Sequence, residues 1–137
     1  MPEIGEGPNK AIILLADDQA TITDILSVVL EARGFGVIKS HDGNDAWNQI
    51  ENNLPDLAIL DIVMPGMNGL DLCKKIKITE KTKNIPVIIM TAITQDTDLA
   101  DGFWKLGTNA DDFVSKPFDP YEFADKVEKL LADKLAG

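Results

Sequence analysis

With 137 residues, 45% of them hydrophobic and 26% charged, the chain has room for one domain with an ordinary core, which excludes wholesale disorder. A formal charge of −10 and a pI near 4.4 argue against holding nucleic acid or an anionic membrane unaided, and no apolar run approaches the ~20 residues of a membrane span. The single cysteine, Cys73, excludes an internal disulfide and a cysteine-only zinc site, and points to a reducing, cytoplasmic setting.

Residues 1–10 (MPEIGEGPNK) carry two Glu and no apolar periodicity, and read as a flexible leader, not a signal peptide. The run AIILLA at 11–16 is apolar on both faces, suits a central parallel strand, and stops at Asp17 and Asp18. Asp18 is a candidate helix cap. Ile22, Leu26, Val29 and Leu30 then recur at helical spacing through 21–33, with Gly34 as the stop. GVIKS at 36–40 is a second strand, 44–51 a helix, and LAIL at 57–60 a third strand ending at Asp61. A helix follows at 69–78, then the strand PVIIM at 86–90 ending at Thr91, and a helix at 96–106. DFVS at 112–115 is the fifth strand, ending at Lys116; 120–135 is the last helix and 136–137 a tail. Five strand-plus-helix units without a hairpin signal predict an α/β domain over 11–135, a parallel sheet between two helical layers.

Ligands of open parallel sheets bind beyond the carboxyl ends of the strands. The residues there are Asp17, Asp18, Asp61, Thr91 and Lys116, a set that is complementary and not merely hydrophilic. Three clustered carboxylates repel one another, and a hard divalent cation such as Mg²⁺ relieves that repulsion. Lys116 and the Thr91 hydroxyl can bind further oxygens, so the assembly reads as a receptor for a phosphoryl group with an Asp as its attachment point. No G-x-x-x-x-G-K-[ST] or G-x-G-x-x-G loop is present, so a free nucleotide has no backbone cradle. The two charges in DDQAT also disfavour a flavin.

Four stretches, LLADD at Asp17 and Asp18, LDIVMPGMNG from Asp61 to Gly69, IIMTA at Thr91 and Ala92, and DDFVSKPF at Lys116 to Phe118, occur in order. Together they resemble the receiver domain of two-component response regulators, over roughly 11–135. The resemblance implies a flavodoxin-like, doubly wound (βα)5 fold with strand order 2-1-3-4-5. It implies that Asp61 is the phospho-acceptor, and that Asp17, Asp18 and Asp61 hold Mg²⁺ (or Mn²⁺) with the backbone carbonyl of Val63. Thr91, with Ala92 beside it, is similar to the switch hydroxyl, Lys116 to its partner cation, and Phe113 to the rotating aromatic. The Lys116–Pro117 bond is expected to be cis. The phosphodonor is a sensor histidine kinase or a histidine-phosphotransfer protein, docking near Ile22 and Ile25 on the first helix, which carries more apolar residues than one buried face needs. The output runs through the face of 96–106, 112–115 and 120–135, to an unidentified effector or a phosphorylation-dependent homodimer. Nucleic acid and membrane are not expected partners of this domain alone.

The resemblance also implies that the side chains two positions after Asp61 and two after Thr91, here Val63 and Ile93, flank the phosphoryl group; both are apolar, so slow self-dephosphorylation is expected. A haloacid-dehalogenase-type hydrolase, which wants D-x-D after strand one and a cap domain, fits poorly. An interaction module blind to phosphate is disfavoured by the complete residue set. The chain is therefore expected to catalyse its own phosphorylation and not to turn over external substrates. Among remaining candidates, His41 reads as a solvated loop residue and Cys73 as a core thiol; Trp47 and Trp104 either pack or protrude. The lysines at 74, 75, 77, 81 and 83 read as a solvated helix end or, second, a docking patch.

Overall fold

The structure, a computed structural model, describes residues 11–92 and 109–136. Five strands, β1 (Ile12–Ala16), β2 (Gly36–Ser40), β3 (Leu57–Asp61), β4 (Val87–Thr91) and β5 (Asp112–Ser115), are joined by α1 (Ala20–Ala32), α2 (Gly43–Asn53), α3 (Gly69–Ile78) and, after β5, α4 (Pro120–Ala136). The strands form one sheet in the order β2-β1-β3-β4-β5, with every neighbouring pair parallel. The expected helix at 96–106, with Trp104 and Ile93, lies outside the described residues.

Side chains alternate across a strand, and the core divides accordingly. Leu14, Ala58, Leu60, Val87 and Ile89 face α2 and α3, meeting Ala46, Ile50, Leu72, Cys73 and Ile76. Ile13, Leu15, Leu57, Ile59, Ile88 and Met90 face α1 and α4, meeting Leu26, Leu30, Phe123, Ala124 and Val127. Most of these side chains are fully buried, each contributing about 1.5–3 kcal/mol for the larger aliphatics. Strands β3 and β4 are buried at every position, Asp61 and Thr91 included. This explains the continuous apolar runs in the sequence, and it carries two polar groups to the carboxyl edge of the sheet.

Helix ends set where the strands begin. α1 closes as anticipated at Gly34 (φ +96°): its N–H reaches the Glu31 carbonyl at 3.0 Å and Phe35 N–H the Leu30 carbonyl at 3.1 Å, a Schellman turn. Asp18 does not cap α1. Gln19 occupies that position without a side-chain cap bond, and Asp18 stays exposed. Asp42 and Asn68 cap α2 and α3 through the backbone N–H groups of Asp45 (2.7 Å) and Asp71 (2.8 Å). α2 runs on to Asn53, past the expected end at 51, because Leu54 adopts a left-handed φ of 45° and its N–H returns to the Ile50 carbonyl. Arg33 ties α1 to α4 through Asp125 (2.6 Å) and Glu128 (3.4 Å). Among the described residues no helix is long and apolar enough to cross a membrane.

Candidate functional site

The carboxyl ends of β1, β3, β4 and β5 open on a cleft of about 260 Å³ lined by Asp18, Gln19, Asp61, Ile62, Val63, Thr91, Ala92 and Lys116. Each side chain arrives there by strand register. Ala16 pairs with Leu60, Asp61 with Met90 and Thr91 with Ser115, so the residues that follow are level at one edge. Two backbone bonds continue the ladder past the strand ends: Ile62 N–H to the Met90 carbonyl (3.1 Å) and Lys116 N–H to the Thr91 carbonyl (2.7 Å).

Lys116 crosses the cleft to the acidic residues. Its ammonium donates to Asp17 Oδ2 at 2.8 Å and lies 3.2 Å from Asp61 Oδ1. Asp17 is fully buried and Asp61 nearly so, while Asp18 is exposed. Carboxylate oxygens of Asp17, Asp18 and Asp61 all lie within 4.8 Å of one another. Burial raises the Asp61 carboxyl above its ordinary range, the Asp17 charge raises it further, and Lys116 draws it back. For Lys116, burial opposes the charge, but the bond to Asp17 and the field of Asp61 outweigh it and raise the ammonium above its usual value. Three carboxylates against one ammonium leave two negative charges uncompensated around converging oxygens. That donor set, all hard oxygen, fits a divalent cation of the Mg²⁺ type.

The remaining residues named from the sequence sort by position. Thr91 is buried at the cleft wall and Ala92 is exposed beside it. Val63 leaves 67% of its surface exposed at the mouth. The Lys116–Pro117 peptide is cis. Phe113 is half-buried on the α2/α3 side of the sheet, away from α4. Ile22 and Ile25 line a separate apolar hollow of about 120 Å³ with Pro117, Phe118, Pro120 and the stem of Lys116. The two sites therefore share one lysine.

Trp47 packs into the core with Lys75 over its ring at 4.9 Å, and His41 is exposed within 3.4 Å of Thr23 Oγ1. Cys73 is a core thiol whose pKa burial pushes up to about 11, which makes it inert. The lysine run disperses: Lys77 bonds the Ile85 carbonyl (2.7 Å) and Asp111 (2.9 Å), and Lys83 reaches Glu80. Two contributors were not singled out from the sequence. Gln19 Oε1 accepts from Lys116 at 3.3 Å, and Gly69 lets α3 start against β3. The adjacency of Gln19 to the acidic pair was the only available signal.

An acidic pocket with a lysine and a threonine at the carboxyl edge of a 2-1-3-4-5 parallel sheet defines a receiver-type α/β domain. The chain belongs to the response regulator receiver domain family of two-component signalling, which it matches over residues 13–128. It is 42% identical over 119 residues to the response regulator GtcR of Aneurinibacillus migulanus, covering 87% of this chain and 47% of that protein. It is 35% identical to the phosphate regulon transcriptional regulatory protein PhoB of Escherichia coli, covering 87% of this chain and 51% of PhoB. The chain thus spans about half the length of the curated relatives it matches. Among solved structures, a CheY-like receiver domain protein from Methanospirillum hungatei superposes with a TM-score of 0.83 at 26% identity, covering 93% of this chain and 98% of that one. The receiver domain of a histidine kinase from Syntrophus aciditrophicus gives 0.81 at 32% identity, covering 90% of this chain and 91% of that one.

Proposed function

We propose that this domain is a phosphorylation-controlled switch whose acceptor is Asp61 and whose donor is the phosphohistidine of a sensor histidine kinase or histidine-phosphotransfer protein. The observation that carries this reading is the Lys116 ammonium bridging Asp17 and Asp61 over an open cleft. An Asp61 carboxylate oxygen forms the new O–P bond while the donor's N–P bond breaks. The electron pair stays on the imidazole nitrogen, which takes up a proton. Lys116 and the Thr91 hydroxyl bind phosphoryl oxygens as charge gathers there. Asp17, Asp18 and Asp61, with the Val63 backbone carbonyl, would hold Mg²⁺ or, in its place, Mn²⁺; bound there, the ion supplies positive charge against the phosphoryl oxygens.

The donor docks over Ile22 and Ile25, where the apolar hollow adjoins Lys116. Phosphorylation draws Thr91 inward and Phe113 follows, so the face of β5 and α4 changes its preference for an effector or a second copy. The domain processes only its own phosphoryl group and works in the cytoplasm. Some relatives, such as MtrA of Mycobacterium leprae, are DNA-binding response regulators by name; this domain by itself, at a net charge of −10, does not hold nucleic acid.

The test is incubation with acetyl phosphate, with and without Mg²⁺, followed by intact mass, with Asp61→Asn as control. A Mg²⁺-dependent phosphoryl adduct absent from the control is the expected result. Absence of an adduct here and with a phosphohistidine donor would leave a phosphate-blind interaction module in its place.

A further inference from the structure

Gln19 is the N-cap of α1, yet its side chain makes no cap bond. It turns instead to the cleft, where its amide faces the Lys116 ammonium at 3.3 Å. An ammonium can only donate, so the facing amide atom is the oxygen. The backbone N–H of Gln19 meanwhile donates to Asp17 Oδ1 at 2.9 Å, and Asp17 Oδ2 accepts from Lys116 at 2.8 Å. Asp17, Gln19 and Lys116 thus form a closed ring of bonds at the cleft mouth. Lys116 has three N–H donors, and three acceptors surround it: Asp17, Asp61 and Gln19.

We infer that Gln19 is a positioning residue for phosphoryl transfer, acting through Lys116; this rests on the function proposed above. When the phosphoryl group arrives, the Asp61 acceptor oxygen is consumed, and the N–H that pointed at it turns to a phosphoryl oxygen. The bonds to Asp17 and Gln19 survive that exchange and keep the ammonium over the reacting atoms. Without Gln19 the ring is open, and of the acceptors that take no part in the transfer only Asp17 still holds Lys116. The ammonium must then be oriented during the reaction, which lowers the maximal rate. Gln19 is not one of the carboxylates, so the Mg²⁺ concentration for half-maximal rate stays put.

The experiment times phosphorylation of the full chain by acetyl phosphate at saturating Mg²⁺, for wild type, Gln19→Leu, Gln19→Glu, Lys116→Met and the Gln19→Leu/Lys116→Met pair. Gln19→Leu is expected to slow adduct formation about three- to tenfold, the weight of one ordinary, solvent-exposed hydrogen bond. Gln19→Glu, which keeps an acceptor oxygen at the same reach, recovers most of that loss. In the Lys116→Met background Gln19→Leu has no further effect, because the partner through which it acts is gone. An unchanged rate for Gln19→Leu overturns the inference, and so does an equal loss in both lysine backgrounds. Should Lys116→Met be too slow to time, a Gln19→Glu rate no better than Gln19→Leu overturns it as well. A wild type that takes no phosphoryl group at all refutes the parent reading; a wild type that does, with Gln19 inert, refutes only this one.

Discussion

Asp61 carries a conflict between burial and charge. Its carboxyl is raised by desolvation first and by the Asp17 charge next, with Lys116 opposing. Unfolded, it titrates near its ordinary value, about 3.9; folded, it keeps its proton to higher pH. The stability linked to this group is therefore full below pH ~3.9 and is lost as pH rises through the native value. At neutral pH the ionised carboxylate is a net cost. Asp61→Asn, melted in chelator at pH 7, should raise Tm by roughly 3–6 °C, about 1 kcal/mol in a domain of this size, and the gain should shrink as pH falls toward 4. A Tm at or below wild type at pH 7 removes this account. Val63 raises a separate question, because its exposed hydrocarbon cannot orient an attacking water. Val63→Asn combined with Ile93→Glu should shorten the acyl-phosphate lifetime by an order of magnitude or more, read from adduct decay after donor removal. An unchanged lifetime rejects the idea that these apolar side chains slow hydrolysis.

Between elements, one close approach lies directly behind Asp61. Gly69 opens α3, and its N–H reaches the Ile62 carbonyl at 2.9 Å. A Cβ at that position would overlap the Asp61 carbonyl oxygen and come within 3.1 Å of Ile62 Cα, both rigid backbone. Gly69→Ala should therefore push α3 off the end of β3, lowering stability by about 1–3 kcal/mol in urea titrations and slowing phosphorylation of Asp61. Unchanged midpoint and rate together would mean that the backbone yields freely. β1, β3 and β4 were legible because each is a short aliphatic run cut off by a polar residue, and the end of α1 because Gly34 is a local signal. The end of α2 was not, since a leucine held in a left-handed conformation at Leu54 carries no stop signal of its own.

For the whole molecule, charge decides what the domain can hold. Three carboxylates converge around one ammonium, so binding of Mg²⁺ to the native state alone should raise Tm, by the equivalent of about 2.7 kcal/mol at 100 times Kd. Asp18→Asn removes one exposed carboxylate of the cluster and should leave stability in chelator equal or slightly higher, because repulsion falls, while losing most of that Mg²⁺ shift. Equal shifts in both proteins would place the ion elsewhere. With a net charge of −10, the chain alone should not retard duplex DNA in a gel even at low salt, and a salt-sensitive shift would contradict that.

The sequence alone determined the α/β alternation and the acidic and basic residues at the strand ends, because buried parallel strands must be aliphatic until they reach the cleft. Resemblance added the strand order and the roles. Only the tertiary structure decided which groups meet: that Lys116 spans to Asp17, 99 positions away, that Gln19 turns from its helix to the same lysine, and that Ile22 and Ile25 share a hollow with Pro117. Such contacts depend on the register of non-adjacent strands and the tilt of helices against them. Those are set by packing the entire core, and no local stretch of chain encodes them.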